Sequence, residues 1–299
     1  NPPFFQDSAR QFFLPVSDPS LLWVDNYVYH NYRFGDHPRT LGVMTFDGLD
    51  ESGYPYAIGT TSSGYADVLT SKPIDLSGMS PADSVYISFI YQPQGFGDEP
   101  ESTDSLLLEF FDSSNNQWNR IWGDTGRNVS PFRIVHLPLT GNNYFTDAFQ
   151  FRFRNYGGLS GSLDHFHLDM VYLREATPPA YIDTVFKDFS FVYPVNSLLN
   201  DYTSVPWDHY KESIDNKMSA AMEVVVFNGS SGPENYQDGA VEISYAGVSE
   251  GDFILQGFTL AEQQINYAAL DFATSYHDLK SGYELSLIHI SEPTRPPEI

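Results

Sequence analysis

The sequence predicts an all-β protein made of two β-sandwiches, and three observations lead to that prediction. The chain is rich in residues that favour strands, with 23 Phe and 20 Tyr among its 299 residues. It also contains 20 Pro and 22 Gly, which suit tight turns between short strands. Several segments alternate apolar with polar residues, as half-buried strands do, and the first half of the chain shows no helical period.

The clearest alternation lies in residues 149–173, FQFRFRNYGGLSGSLDHFHLDMVYL. Both ends of this segment alternate apolar with polar residues, and a loop rich in glycine and serine joins them. We therefore expect a hairpin whose apolar side faces inward and whose polar side forms one face. The expected cross-strand pairs on that face are Arg154 with His165, Arg152 with His167, and Gln150 with Asp169.

Shorter segments before this hairpin also predict strands. In the segment WNRIW, simple alternation places Trp118 and Trp122 on the same face of a strand. Turn residues separate the segments at the spacing typical of sandwiches. The main predicted strands are residues 41–46, 84–91, 105–111, 118–122 and 132–139.

A proline-rich segment, ATPPAYI, divides the chain. We expect residues 176–182 to be a linker between a sandwich of residues 1–175 and a second, Ig-like sandwich of residues 183–284, cut short at its end. In the second sandwich, residues 200–217 are predicted to be a loop. Residues 285–299 contain LSLIHISEPTRP, which resembles the translation of a sequencing adapter, and we expect this tail to be non-native.

Charge and composition exclude several classes of function. The formal net charge is −24, which repels nucleic acid and anionic membrane surfaces. The chain has no cysteine, so it has neither disulfides nor thiolate metal sites. No apolar run reaches the length needed to span a membrane, so we expect no membrane insertion.

Five segments, read in order, resemble one group of proteins: LGVMTFDGLD, YADVLTSKPIDLS, GFGDEPESTDSLLLEF, WNRIWGDTG and residues 149–173. They are similar to the MAM-like, concanavalin-like jelly-roll domains of surface proteins that the type IX system of Bacteroidota exports. The resemblance covers residues 4–173. It implies a jelly-roll fold, an extracellular or cell-surface location, and contact with an export machinery. Most proteins of this group have no assigned activity, so the resemblance indicates fold and location more than function.

The resemblance also implies a structural calcium ion, because jelly rolls of this kind often use one to link the first strand to the last. The matching positions are Asp7 near the first strand, Asp47 after a later one, and Asp164 or Asp169 at the exit. Carboxylate and backbone oxygens from separate loops are the ligands that calcium prefers. We therefore expect a calcium site among these four residues.

The run His165-x-His167-x-Asp169 suggests a second kind of metal site, because alternate residues of a strand point the same way. Two imidazoles and a carboxylate can bind zinc or iron, with His136 as the available further ligand. The alternative interpretation is a hydrogen-bonded polar face with no metal.

The ligand-binding residues that we expect belong to the same polar face and to exposed aromatic side chains. Carbohydrates are recognised by aromatic platforms beside polar groups. No complete catalytic motif is present: Glu109 is a lone strand carboxylate, and glycosidases need two. We therefore name no catalytic residue. The candidate ligand-binding residues are Trp118, Trp122, Arg152, Arg154, His165 and His167, with Tyr54 and Tyr56 as further aromatic platforms.

These observations predict a non-catalytic, secreted or cell-surface protein that binds carbohydrate or protein through loops and a polar sheet face. The alternative hypothesis is an accessory binding module of a secreted hydrolase whose catalytic domain lies beyond the end of this sequence. A third hypothesis is a metal-dependent enzyme that uses His165, His167 and Asp169.

Overall fold

The computed structural model describes residues 4–5, 22–175, 189–201, 204–237, 240–245, 248–254, 264–267 and 271–278. The chain divides into two compact units, Asn1–Phe186 and Lys187–Ile299. Antiparallel strands dominate both units, so the all-β prediction is confirmed. The predicted linker, residues 176–182, and the expected non-native tail lie outside the described residues. Within the described part of the chain, no helix is both long and apolar enough to span a membrane.

The first unit is a sandwich of two antiparallel sheets. One sheet has the order β2-β3-β10-β5-β8, with β1 joined to β10, and the other has the order β4-β9-β6-β7. The paired orders β3-β10-β5-β8 and β4-β9-β6-β7 are those of a jelly roll, as predicted. In chain order the strands are β1 (Phe4–Phe5), β2 (Tyr29–Asn31), β3 (Val43–Phe46), β4 (Ser63–Thr70), β5 (Val85–Pro93), β6 (Ser105–Asp112), β7 (Gln117–Thr125), β8 (Arg133–Pro138), β9 (Phe151–Gly158) and β10 (Phe166–Glu175).

The core between the two sheets consists mainly of aromatic and aliphatic side chains from alternate strand positions. Phe89 of β5 and Phe153 of β9 come from opposite sheets, and their ring centroids lie 4.9 Å apart at an edge-to-face angle. Both side chains are fully buried. This contact joins the two layers near the middle of the unit, and it confirms that Phe153 faces inward.

The predicted hairpin of residues 149–173 is wrong. Strand β9 pairs with β4 and β6, whereas β10 pairs with β3 and β5 in the other sheet. The chain therefore crosses from one layer to the other in the intervening loop, and Arg154 does not lie opposite His165. Alternation identifies the inward side of each strand but not the sheet to which the strand belongs.

The prediction that Trp118 and Trp122 share a face is also wrong. The pairing of β6 with β7 contains a β-bulge, since Leu108 pairs with Trp122 while Glu109 pairs with Arg120. One extra residue in a strand reverses the side on which every later residue lies. Trp118 therefore faces outward, whereas Trp122 points into the core.

The second unit contains short antiparallel strands and two short helices. Strands β11, β12 and β17 form one sheet, and β13-β16 and β14-β15 form two further pairs. Residues 200–217, predicted as a loop, contain both helices. The Ig-like arrangement stays a prediction. The elements in chain order are β11 (Phe189–Phe191), α1 (Trp207–Lys211), α2 (Ile214–Lys217), β12 (Ala221–Asn228), β13 (Glu234–Gln237), β14 (Ala240–Tyr245), β15 (Val248–Ile254), β16 (Gln264–Tyr267) and β17 (Asp271–Asp278).

Candidate functional site

The outer face of the four-stranded sheet carries a concentration of charged and aromatic side chains. The register places Glu109 of β6 directly between Arg152 of β9 and Arg120 of β7. Arg154 lies two residues further along β9, on the same side of the sheet. Pleating thus turns all four of these charged side chains outward, away from the aromatic core.

Glu109 holds two of these arginines at once. Its Oε2 accepts a hydrogen bond from Arg152 Nε at 2.7 Å, and its Oε1 accepts one from Arg154 Nη2 at 2.8 Å. The Glu109 side chain is 5% exposed, and the two arginine side chains are 21% and 22% exposed. Charge-assisted hydrogen bonds at this degree of burial fix the positions of both guanidinium groups.

An aromatic ring lies under each guanidinium group. The Arg152 guanidinium carbon is 4.2 Å from the centroid of the Trp118 ring, and that of Arg154 is 3.5 Å from the centroid of the Tyr65 ring. Both distances are in the range of cation–π contacts. We call the resulting row the aromatic–arginine stripe, and it consists of Phe111, Trp118, Arg152, Glu109, Arg154, Tyr65 and Tyr156.

The ends of the aromatic–arginine stripe are closed by further ring contacts. Tyr65 and Tyr156 meet edge to face with centroids 5.4 Å apart, and Phe111 and Trp118 lie 5.2 Å apart. Tyr65 is 53% exposed despite these contacts. The stripe therefore exposes flat aromatic surfaces next to guanidinium N–H donors. Each ring and each guanidinium group contacts a neighbour in the stripe.

A second candidate site consists of three carboxylates at one end of the sandwich. Ligand atoms of Glu101, Asp104 and Asp164 all lie within 4.8 Å of one another. Glu101 is exposed, whereas Asp104 and Asp164 are buried. Two loops form the group, since Glu101 and Asp104 precede β6 while Asp164 belongs to the loop that joins β9 to β10.

The pKa values of this group show that its negative charges are crowded. Burial and the neighbouring carboxyl groups raise the pKa of Asp104 to about 7. Burial also raises the pKa of Asp164 to about 6. The hydrogen bond that Gly158 N donates to Asp164 Oδ2 at 2.5 Å lowers this pKa and offsets part of the rise. No salt bridge joins the three to Lys or Arg within the described ranges. Such a group favours a bound cation, and oxygen donors suit calcium.

The predicted calcium ligands are only partly brought together. Of the four, only Asp164 belongs to the three-carboxylate group. Asp47 is buried beside Asp67, whose Oδ2 accepts a hydrogen bond from Asp47 N at 2.7 Å. Asp169 Oδ2 accepts a hydrogen bond from Thr40 Oγ1 at 2.7 Å in a different part of the sandwich. Asp7 lies outside the described residues.

The two predicted ligand-binding histidines are buried. His165 is 3% exposed and His167 is not exposed at all. Nδ1 of His167 hydrogen bonds with Thr45 Oγ1 at 2.8 Å and its Nε2 with the Gln94 carbonyl at 2.9 Å. Nδ1 of His165 accepts a hydrogen bond from Asp98 N at 2.7 Å. These nitrogens already have protein partners, but the predicted cross-strand ladder of the two histidines with Arg152 and Arg154 does not form, because β9 and β10 belong to opposite sheets.

The network around His167 continues into neighbouring strands. Thr45 Oγ1 also accepts a hydrogen bond from Asn31 Nδ2 at 2.6 Å. Burial lowers the pKa of His167 to about 4, so its ring is neutral at neutral pH. The predicted polar face of β10 is therefore a buried layer that holds β2, β3 and β10 together.

Trp122, the remaining predicted ligand-binding residue, packs inside the sandwich. Its ring lies 5.1 Å from Phe89 and 4.9 Å from Tyr91, edge to face in both cases. The structure therefore leaves Trp118, Arg152 and Arg154 as the predicted ligand-binding residues on an outer face.

Sequence reasoning missed five residues of this face, namely Tyr65, Glu109, Phe111, Arg120 and Tyr156. Glu109 carried a readable signal, because it is the one charged residue in the apolar run SLLLEFF. Its outward position follows from the inward side chains of Leu108 and Phe110, which flank it. Tyr65 carried little signal, because a register shift interrupts β4 between Tyr65 and Val68.

No protein-family model matches the sequence, and no curated protein sequence matches it. Solved structures match the chain at low TM-scores. One is a carbohydrate-binding module of family CBM28 that is specific for non-crystalline cellulose, with a TM-score of 0.31 and 12% identity over 52% of this chain and 87% of the module.

Two other matches contain CBM22 modules. In the CBM22-1–GH10 modules of xylanase 10B from Clostridium thermocellum, the TM-score is 0.29 and the identity 14%, over 56% of this chain and 28% of that chain. In the CBM22-1–CBM22-2 tandem of Xyn10C from Paenibacillus barcinonensis, the TM-score is 0.28 and the identity 9%, over 86% and 80%. The chain is thus similar to carbohydrate-binding modules at low TM-scores, and this likeness carries no argument about what it binds.

Proposed function

We propose that this protein is a non-catalytic carbohydrate-binding protein, secreted or at the cell surface, and that the aromatic–arginine stripe is its binding surface. The observation that carries this proposal is the fixed position of the two guanidinium groups. Each is hydrogen bonded to Glu109 and stacked on an aromatic ring. The secreted location rests on the sequence resemblance alone.

The chemistry of the stripe suits sugar rings. A pyranose presents an apolar face of C–H groups, which packs on an exposed aromatic ring such as Tyr65, and its hydroxyl groups accept hydrogen bonds from guanidinium N–H donors. Because Glu109 already holds Arg152 and Arg154, binding requires little further ordering of these long side chains. A surface whose arginine and aromatic side chains are already held in position recognises an extended glycan chain lying across the strands.

Glu109 itself is unsuited to catalysis on this face. Both of its carboxylate oxygens accept hydrogen bonds from arginine. A glycosidase acid donates a proton to the leaving group of its substrate, whereas the carboxylate of Glu109 is occupied by its two arginine partners. This contact pattern supports binding without hydrolysis.

We predict that Tyr65→Ala weakens carbohydrate binding roughly tenfold, because it removes an exposed stacking surface and the support beneath Arg154. The matched control is Tyr29→Ala, since Tyr29 is also exposed, at 52%, but belongs to β2 of the other sheet. Affinity electrophoresis of the full chain in gels containing soluble polysaccharides measures both variants. Equal affinity of the two variants for every polysaccharide that the unmodified chain binds contradicts the proposed surface.

We also propose that the three-carboxylate group binds a structural calcium ion. A cation there stabilises the ionised forms of Asp104 and Asp164, whose pKa values are raised by burial and by the neighbouring carboxyl groups. The ion would join the loop before β6 to the loop between β9 and β10. Both loops lie at the same end of the four-stranded sheet, since Ser105 at the start of β6 pairs with Tyr156 near the end of β9.

We predict that calcium raises the unfolding temperature of the chain by roughly 5 °C at about one hundred times its Kd, and that Asp104→Asn abolishes this rise. Differential scanning calorimetry in calcium and in EDTA measures the shift. The control is Glu99→Gln, because Glu99 is an exposed carboxylate of the same loop outside the group. A calcium-induced rise that persists in Asp104→Asn would place the ion elsewhere.

A further inference from the structure

The outer face of the four-stranded sheet is basic although the protein is strongly acidic. The chain has 15 Lys and Arg against 39 Asp and Glu. On this face, Arg120, Arg152 and Arg154 surround Glu109. Asp25 stands near the edge beside β4 and interacts with Arg152. The three guanidinium charges exceed these two carboxylates, so the face retains a positive charge.

Arg120 is the unpaired member of this group. Its side chain is exposed, and it has no salt bridge in the described part of the chain. A Cβ atom on Gly123 would lie 2.4 Å from Arg120 Nη2. The absence of a side chain at Gly123 therefore leaves the space that the Arg120 guanidinium occupies.

Arg120 and Arg154 approach the same point from opposite sides. Leu107 of β6 pairs with Gly123 on one side and with Arg154 on the other. Strands two apart in a sheet are separated by about 10 Å, so two arginine side chains can reach a small group between them. Leu107 faces outward at this point but is only 4% exposed.

Arg154 also has donor capacity that the fold does not use. Its Nη2 bonds to Glu109 and its Nε is buried, so among the described residues Nη1 is the nitrogen of Arg154 that remains to donate to a ligand at the surface. Arg120 has no hydrogen-bond partner or ion pair among the described residues, so its guanidinium fork can bind a ligand. Guanidinium forks bind carboxylates in bidentate fashion, and a carboxylate between the two arginines would compensate the excess positive charge.

We propose that the ligand of the aromatic–arginine stripe is a glycan whose sugars carry carboxylate groups, and that one carboxylate binds between Arg120 and Arg154, above Leu107. This inference rests on the proposed function, since it names the class of carbohydrate that the same face takes. The rings of Tyr65 and Trp118 contact the sugar, and the arginines select its charge.

The test compares two forms of one glycan on the full chain by isothermal titration calorimetry. Oligogalacturonate carries a carboxylate on each sugar, and its methyl ester has the same backbone without the charge. We expect the acid to bind at least tenfold more tightly than the ester, because charge-assisted hydrogen bonds are lost with the ester. We also expect its affinity to fall as salt is added.

Variants locate the carboxylate. Arg120→Gln is expected to lower the affinity for oligogalacturonate roughly tenfold and to leave the ester unchanged. Gly123→Ala, which displaces the Arg120 guanidinium, is also expected to lower the affinity for oligogalacturonate. Arg133→Gln is the control, because Arg133 is also a half-exposed arginine, at 46%, but belongs to β8 of the other sheet.

The outcomes separate this inference from the proposed function. Equal binding of acid and ester that is lost in Tyr65→Ala overturns the carboxylate proposal and retains the carbohydrate surface. Binding of neither form, with no binding to any other glycan, overturns both. An acid preference that survives Arg120→Gln overturns the assignment of the carboxylate to this position.

Discussion

Replacing Glu109 by glutamine is expected to destabilise the first unit by about 3 kcal/mol. Glutamine has the same shape but no charge, so two partly buried guanidinium groups would remain close together without a carboxylate between them. The loss of one partner from a buried ion network is costly because the other charges stay desolvated. Urea unfolding followed by tryptophan fluorescence measures the change in free energy.

Two comparisons identify the cause of that change. Glu99→Gln removes an exposed carboxylate and should change stability by less than about 0.5 kcal/mol. A triple variant with Arg152→Met, Glu109→Gln and Arg154→Met removes the charges together and should recover much of the loss. If Glu109→Gln unfolds at the same urea concentration as the unmodified chain, the ion network of Glu109 with the two arginines does not stabilise the first unit.

Lowering the pH from about 7 to about 4 is expected to cost roughly 3 kcal/mol of stability through His167 alone. Burial lowers the pKa of this histidine from its ordinary value of 6.5 to about 4 in the folded chain. Between these two values the unfolded chain binds a proton that the folded chain does not, so stability falls as the pH falls. Protonation would force a charge into a site that has no exposure to solvent.

The measurement is the difference between two curves of stability against pH. His167→Gln lacks the titrating group, so its curve should fall less steeply below pH 6.5 than that of the unmodified chain. Subtraction is needed because Asp67, whose pKa burial raises to about 7, acts in the opposite direction as the pH falls. His37→Asn, a change of an exposed histidine, should keep the original slope. Parallel curves for His167→Gln and the unmodified chain would contradict the prediction.

The inward sides of the strands could be predicted from the sequence because alternation records burial directly. Phe151 and Phe153 of β9 and Phe166 and Leu168 of β10 all lie in the core, as predicted. What alternation does not record is the partner of each strand. The β9 and β10 segments are close in sequence and have a turn-rich connection, so a hairpin was the simplest interpretation, but the jelly roll places them in opposite sheets.

The candidate site was partly predictable for a related reason. Arg152 and Arg154 belong to a regular strand, so their outward direction followed from counting. Trp122 was misplaced by the bulge in β7, because a single extra residue leaves no clear mark in the sequence. The pairing of Glu109 with both arginines depends on sheet order, which joins residues more than forty positions apart.

The position of β10 has a consequence for how this chain folds. Among the described residues, that strand is the last of the first unit to be synthesised, yet it lies between β3 and β5 in the middle of its sheet. Until it emerges from the ribosome, both neighbours remain open edges that can pair with other chains. Completion of the sandwich also requires contacts between distant parts of the sequence, which makes folding slow. We therefore expect nascent chains that stop before residue 166 to aggregate, and holdase chaperones to be needed during synthesis.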